Sequence, residues 1–251
     1  MQHLFTPDGE AALAAVLRLR PLMAFDFDGT LAPIVARPDD ARIAAAVAQR
    51  LQALAARLPV AIVTGRSLAD VRGRLGFEPQ FIVGNHGAEE DGAGAAHTLL
   101  AAPLDGLRER LQAQQQALQA GGIAVEDKGL SLALHYRLAR DPAAAQRLIA
   151  GLLTPEPEGL RFFAGKMVVN AVAADAPDKA DAVQALVARS GAAAAFFAGD
   201  DVNDEPVFAA APAHWLTVRI GCDDPSSRAR FCLDGPQEMA LLLGRVLAQL
   251  G

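Results

Sequence analysis

Chemistry is concentrated in four short stretches of this chain: Asp26-Phe27-Asp28-Gly29-Thr30, Thr64-Gly65-Arg66, Lys179, and Gly199-Asp200-Asp201-Val202-Asn203-Asp204. Asp26 and Asp28 end an apolar run, and Gly29 releases the chain into a turn. Two acids so close repel unless a cation lies between them. Mg²⁺ suits the position, because it takes carboxylate and carbonyl oxygens and keeps a substrate phosphate as a further ligand. One carboxylate then serves as nucleophile toward phosphorus, the other as general acid for the departing oxygen. Asp200, Asp201 and Asp204 form a second acidic cluster, too dense to leave without a cation. The Thr64 hydroxyl and the backbone N–H groups of a helix start suit a phosphate oxygen. Lys179 offsets phosphate charge as a point cation, and is preferred over Lys166 because it precedes the fourth core strand. Singly, each motif has a plainer reading: an Asp-Gly turn, a capped helix start, a solvated lysine, acids that suit a helix dipole. All four in this order describe a phosphotransfer site.

Other chemistries fall away. An EF-hand would need glycine at the sixth position of the acidic loop and glutamate at the twelfth, and neither is present. Gly165-Lys166 is followed by Met167, where a P-loop requires Ser or Thr. No Ser-His-Asp or Cys-His nucleophile pattern occurs. Formal net charge is -6, and no stretch gathers Lys and Arg into a patch, which argues against nucleic acid or an acidic membrane surface as partner. Cys222 and Cys232 are the only cysteines, too few for a disulfide framework or a zinc site. With no apolar leader and no uninterrupted apolar segment of ~18 residues, the expectation is a soluble, cytoplasmic protein. No exposed apolar helix or coiled-coil repeat declares itself, so the sequence is silent on oligomeric state, with a monomer as the favoured expectation.

The elements that must position these residues follow an α/β rhythm. Leu13, Val16 and Leu17 mark a helix over 9–19, and 22–27 is a continuous apolar run of the kind found in buried parallel strands. Asp39 or Asp40 caps a helix with Ile43, Val47, Leu51, Leu54 and Leu58 on one face. A strand over 59–63 follows, then a helix opened by a Ser67–Asp70 capping box, then a strand over 81–83. The pattern changes near Leu99. A glutamine-rich helix over 104–120 precedes strands over 123–126 and 130–137. In the latter, Leu130, Leu132, Leu134 and Tyr136 alternate with Ser131, Ala133, His135 and Arg137, as in a half-exposed antiparallel strand. A helix over 142–153 and strands over 160–163 and 167–172 complete an α+β unit. The α/β rhythm resumes with a helix over 178–190, strands over 193–198 and 215–220, and a helix over 237–250. With 251 residues of which 52% are apolar, the chain has room for one large domain carrying an insertion.

The four motifs resemble the signatures of the haloacid dehalogenase-like phosphatases. Within that superfamily the chain resembles the trehalose-6-phosphate phosphatases along almost its full length. The narrower likeness rests on residues 25–33, Val83-Gly84-Asn85-His86-Gly87-Ala88-Glu89, His135-Tyr136-Arg137, Gly165-Lys166 and Gly199 to Glu205. The resemblance implies a Rossmann-like core with a parallel sheet over 1–100 and 175–251, and an inserted α+β cap domain over 101–174. It implies that Asp26 is the nucleophile and that Asp28 protonates the leaving oxygen and then activates water. It implies Mg²⁺ held by the Asp26 side chain, the Asp28 carbonyl and the Asp200 side chain, with Asp201 and Asp204 completing or orienting that shell. Thr64 and Lys179 would hold the transferring phosphoryl group, with Gly65, Arg66, Asn85 and His86 beside the substrate. Glu126, Lys128, His135, Arg137 and Lys166 would read a sugar phosphate. Asn170 stands where the family usually has glutamate, and Ala180 where a glycine usually follows the lysine. The first departure keeps another sugar phosphate, such as sucrose phosphate or a glucosylglycerol-type phosphate, as the alternative substrate.

Overall fold

The computed structural model describes residues 1–35, 37–92 and 94–251, the side chain of Ala95 excepted. It divides into two compact units, one of residues Met1–Gly87 with Pro177–Gly251 and one of Ala88–Ala176. The sequence expectation set these seams later, after residue 100, and slightly earlier, before residue 175.

The first unit holds, in chain order, β1 (Gln2–His3), α1 (Pro7–Arg18), β2 (Leu22–Phe25), α2 (Ala45–Ala55), β3 (Val60–Val63), α3 (Leu68–Arg72) and β4 (Phe81–Val83). The second holds α4 (Gly94–Ala101), α5 (Asp105–Ala113), α6 (Gln115–Ala120), β5 (Ala124–Asp127), β6 (Ser131–His135), α7 (Pro142–Leu152), β7 (Leu160–Gly165) and β8 (Val168–Ala173). The chain then returns to the first unit as α8 (Lys179–Ser190), β9 (Ala195–Gly199), α9 (Glu205–Ala210), β10 (Leu216–Ile220), β11 (Phe231–Leu233) and α10 (Met239–Gln249).

Among the described residues the first unit forms a seven-stranded sheet in the order β1-β11-β10-β9-β2-β3-β4, with every neighbouring pair parallel. Residues of β2, β3, β9 and β10 are buried throughout, because a parallel sheet is covered on both faces; β2, β3 and β9 are apolar end to end, while β10 also buries Thr217 and Arg219. From β2 the chain runs outward one way through β3 and β4. It returns on the other side as β9. Ligands of open α/β sheets sit beyond the carboxyl ends of strands at such a reversal. Asp26 follows β2, Thr64 follows β3 and Asp200 follows β9. The Asp26 N–H still donates to the Ala198 carbonyl at 2.9 Å, so the nucleophile candidate is held by the last rung of the ladder.

In the second unit the order is β5-β6-β8-β7, antiparallel throughout. One face packs Leu132, Leu134 and Ala171 with Leu107, Leu111, Leu118 and Ile149 into a separate core. On the opposite face of β6, Ser131 and Ala133 are at 0% exposure while His135 at the strand's end is partly exposed, so that face is open only toward its end rather than along the whole strand as its alternation suggested.

Several expected elements are corrected. The helix expected from Asp39 or Asp40 begins at Ala45. The Pro38–Asp40 segment instead makes a 3-10 turn whose carbonyls are taken by Arg66 and Arg74. The helix expected over 104–120 breaks at Gln114 into α5 and α6, while its buried leucines keep helical spacing. Ser67 does cap α3 by accepting from the Asp70 N–H, but the Asp70 carboxylate goes to Arg66 and Arg74 and forms no reciprocal box. Cys222 and Cys232 form a disulfide. The parallel β10–β11 ladder sets Arg219 opposite Cys232, and the chain just past β10 thereby lies beside β11, at a Cα–Cα distance of 5.4 Å.

Candidate active site

Lys179 is the pivot of the site. It is the first residue of α8, whose cap Asp178 accepts from the Ala180 and Asp181 N–H groups, and it is 1% exposed. Its Nζ lies 3.0 Å from Asp26 Oδ1 and donates to Asp204 Oδ1 at 2.7 Å. Burial alone would lower the ammonium pKa, but Asp204 and Asp26 outweigh it and raise it above its ordinary value. The other Asp204 oxygen accepts from the Asp200 and Asp201 N–H groups at 2.9 and 3.0 Å. Asp204 therefore ties the loop after β9 to the lysine. Thr30 donates to Asp200 Oδ1 at 3.4 Å. Asp26, Asp200 and Asp204 are all buried and bring one oxygen each within 4.8 Å of one another. Burial raises the Asp26 pKa well above its ordinary value. Lys179 opposes this, and Asp204 and Asp200 reinforce it.

The structure thus joins Asp26, Lys179, Asp200 and Asp204. The Asp201 carboxylate is outside that trio, accepting from Asn203 at 3.4 Å. The Asp28 side chain points elsewhere too: both its oxygens are taken by Arg66, at 2.7 and 2.8 Å. Arg66 also donates to Asp70 at 2.6 Å and to the Pro38 carbonyl at 2.9 Å. Burial would lower the Arg66 pKa, but Asp28 and Asp70 outweigh it and raise it. Burial would likewise raise Asp70, but hydrogen bonds from Arg74 and Arg66 hold it below its ordinary value. The sequence reading placed Arg66 beside the substrate; here four of its five N–H groups donate to protein acceptors. Asp39, Asp70 and Arg74 were missed. The four-residue spacing of Arg66, Asp70 and Arg74 was the signal available, since such spacing makes neighbours on a helix.

Thr64 is fully buried, its hydroxyl accepting from the Arg66 N–H at 3.2 Å. The loop after β4 closes on it. The Asn85 N–H donates to the Arg66 carbonyl and the His86 N–H to the Thr64 carbonyl, with Asn85 and His86 both at positive φ, 47° and 61°. His86 lies against Gly65 so closely that a Cβ there would come within 2.3 Å of the imidazole Cε1. Asn85 and His86 thus brace the Thr64 turn.

The remaining expected residues lie in the second unit. Glu126 pairs with Ala133, which pairs with Asn170, so this row and the alternate residue His135 share the sheet face opposite Leu132 and Leu134. His135 Nε2 and Glu126 Oε2 are 2.9 Å apart, a diagonal cross-strand contact. Lys128 Nζ lies 3.7 Å from the same carboxylate oxygen. Arg137 donates to the Lys166 carbonyl at 3.3 Å, at the β7–β8 turn. Glu126, Lys128 and His135 form one cluster, Arg137 and Lys166 another, and Asn170 is 3% exposed in mid-strand.

This architecture has known relatives. A trehalose-phosphate phosphatase of Mycobacterium tuberculosis is 32% identical over 259 residues, covering 97% of this chain and 66% of that protein. A protein of the same organism described as an uncharacterised glycosyl hydrolase is 32% identical over 262 residues, covering 97% of this chain. The chain spans only 20% of that protein's length. Among solved structures, the C-terminal domain of trehalose-6-phosphate phosphatase from C. albicans superimposes with a TM-score of 0.79 at 21% identity, covering 95% of this chain and 96% of that one, a likeness of fold. The family model described as trehalose-phosphatase matches residues 24–234, from the end of β2 just before Asp26 to beyond the Asp200–Asp204 loop. With that match over most of its length, this chain belongs to the trehalose-phosphatase family, on a haloacid dehalogenase-like fold.

Proposed function

We propose that the chain hydrolyses trehalose 6-phosphate to trehalose and inorganic phosphate with Mg²⁺ as cofactor, through an aspartyl-phosphate on Asp26. One observation carries the reading: the buried group of Asp26, Asp200 and Asp204 with Lys179 seated between two of them. Three carboxylates and one ammonium leave two formal negative charges, which one divalent cation balances. The donors are all hard oxygens, which favours Mg²⁺ over softer metals. Asp26, Asp200 and Asp204 would hold it, the last with Lys179 as its partner. When bound, Mg²⁺ supplies Lewis-acid charge to phosphate oxygens.

The protein's own groups divide the remaining work. Lys179 holds Asp26 Oδ1 and so orients the carboxylate that bonds to phosphorus as the sugar–oxygen bond to phosphorus breaks. Asp28 gives its proton to the departing sugar oxygen. In the second step it takes a proton from water, which attacks phosphorus and returns Asp26 as a free carboxylate with release of phosphate. Lys179 and Thr64 bear on the transferring phosphoryl group, where charge stabilisation dominates. Glu126, Lys128, His135, Arg137 and Lys166 supply polar contacts for sugar hydroxyls. Asn170 favours a second reading, in which the sugar is not trehalose: an amide oxygen accepts more weakly than a carboxylate. Acid-quenching the enzyme with substrate and Mg²⁺ and mapping the adduct by mass spectrometry tests the intermediate. Phosphate on the Asp26 peptide is expected; phosphate elsewhere, or an unlabelled enzyme during rapid turnover, contradicts it.

A further inference from the structure

Arg66 has five N–H groups in a fixed plane, and four hydrogen bonds from them reach protein acceptors: both oxygens of Asp28, Asp70 Oδ2 and the Pro38 carbonyl. Its side chain is 10% exposed, and the guanidinium lies 5.3 Å over the Phe27 ring. Behind it, Arg74 donates to Asp70 through Nε at 2.9 Å and also through Nη2. Arg74 is anchored in turn on Asp39, on the carbonyl at 2.6 Å and the carboxylate at 3.0 Å. The Asp28 side chain, by contrast, is 42% exposed. A carboxylate in that setting has a broad, weakly restricted terminal torsion, unless something grips both its oxygens.

We propose that Arg66 is the positioning residue for the Asp28 carboxylate and no ligand of the substrate phosphate, its fork locked from behind by Asp70, Arg74 and the Pro38–Asp39 turn. The proposal rests on the role given to Asp28 above. The fork fixes the plane of the carboxylate while using one lone pair on each oxygen. The other lone pairs stay open for the proton that Asp28 passes to the sugar oxygen and takes from water. Lysine at position 66 keeps the charge and loses the fork.

The test is steady-state hydrolysis of trehalose 6-phosphate, with inorganic phosphate as competitive inhibitor, for wild type, Arg66→Lys, Asp70→Asn, Asp28→Asn and the Asp28→Asn/Arg66→Lys double variant. Since ~1 Å of misplacement costs ~10²-fold in rate, Arg66→Lys is expected to lower kcat by roughly 10- to 100-fold. KM and the phosphate inhibition constant should not move. Asp70→Asn, which leaves the Asp28–Arg66 pair in place, should give a smaller fall of the same kind. In the Asp28→Asn background Arg66→Lys should cost nothing further, because both changes act through one group. A rise in KM and in the phosphate inhibition constant with kcat kept overturns the proposal. So does an undiminished Arg66→Lys loss in the Asp28→Asn background. Full turnover by Asp28→Asn overturns the acid–base assignment itself, and is distinguishable because it appears without any change at Arg66. Should Arg66→Lys fail to fold, an Asp70→Asn effect on KM alone overturns the proposal.

Discussion

An ammonium held at 1% exposure between two carboxylates is stable only while at least one of them stays to balance it. Removing one side of a buried ion pair leaves uncompensated charge and costs about 3–5 kcal/mol. Lys179→Ala is therefore expected to unfold earlier by about that amount without divalent cation, and added Mg²⁺ should recover part of the loss. Thermal melts with and without Mg²⁺ read both effects; a variant as stable as wild type contradicts the charge arithmetic. Asp26→Asn runs the opposite way. It removes a carboxylate whose ionisation burial disfavours and leaves Lys179 its bond to Asp204. The metal-free variant should melt above metal-free wild type while losing turnover, and a lower melt would show that the Asp26–Lys179 pair outweighs the repulsion. At this scale the residue types were legible before the structure, because acids, a lysine and a hydroxyl at strand ends point to phosphate chemistry. The pairings were not. Lys179 meets Asp26 and Asp204, and Asp28 meets Arg66, through the side-by-side placement of β2, β3 and β9, which spacing along the chain does not encode.

Gly29 shows how an element's turn shapes the site. Its φ is +76°, and a Cβ there would lie 2.1 Å from Asp200 Oδ2. Gly29→Ala should strain the backbone and displace Asp200, so that Mg²⁺ no longer raises the melting temperature as in wild type; an unaltered Mg²⁺ response would remove Asp200 from the metal set. In the second unit, Arg108 joins α5 to β5 through Asp127, at 2.8 and 3.2 Å. That hydrogen bond outweighs burial and holds the Asp127 carboxyl below its ordinary 3.8. The stability it adds is present above that ordinary value and is lost as pH falls below it, through the folded-state value. Because the pair is partly exposed, Asp127→Asn should cost at most about 1 kcal/mol near neutrality. The loss should vanish in strongly acidic solution, as measured by denaturant unfolding across pH; a pH-independent difference contradicts the cause. Elements with long, uniform patterns were legible in the sequence, among them α1, β2, β3, α7 and α8. β1 was not, since its two residues, Gln2 and His3, are polar and carry no period, and neither was β11. The break at Gln114 and the late start of α2 were hidden because Leu107, Leu111, Leu118 and Val47, Leu51, Leu54 keep helical spacing on either reading.

On the scale of the whole molecule, the change from continuous apolar strands to alternating ones announced the inserted unit, and the structure gives that unit its own sheet and core. Its proposed task is to read the sugar, so its polar residues should matter only for substrates that have one. Glu126→Gln and His135→Ala are expected to lower kcat/KM for trehalose 6-phosphate by ~10-fold or more, since a site built for hydroxyls loses much when a partner is removed. Para-nitrophenyl phosphate should be hydrolysed as by wild type, and an equal loss on both substrates contradicts the division of labour. The central claim is tested most directly by phosphate release from trehalose 6-phosphate, sucrose 6-phosphate and glucose 6-phosphate, with and without Mg²⁺, for wild type and Asp26→Asn. Mg²⁺-dependent release from trehalose 6-phosphate above the other two, abolished by Asp26→Asn, is the predicted result. Release that prefers another sugar phosphate, that needs no divalent cation or that survives in Asp26→Asn would contradict it.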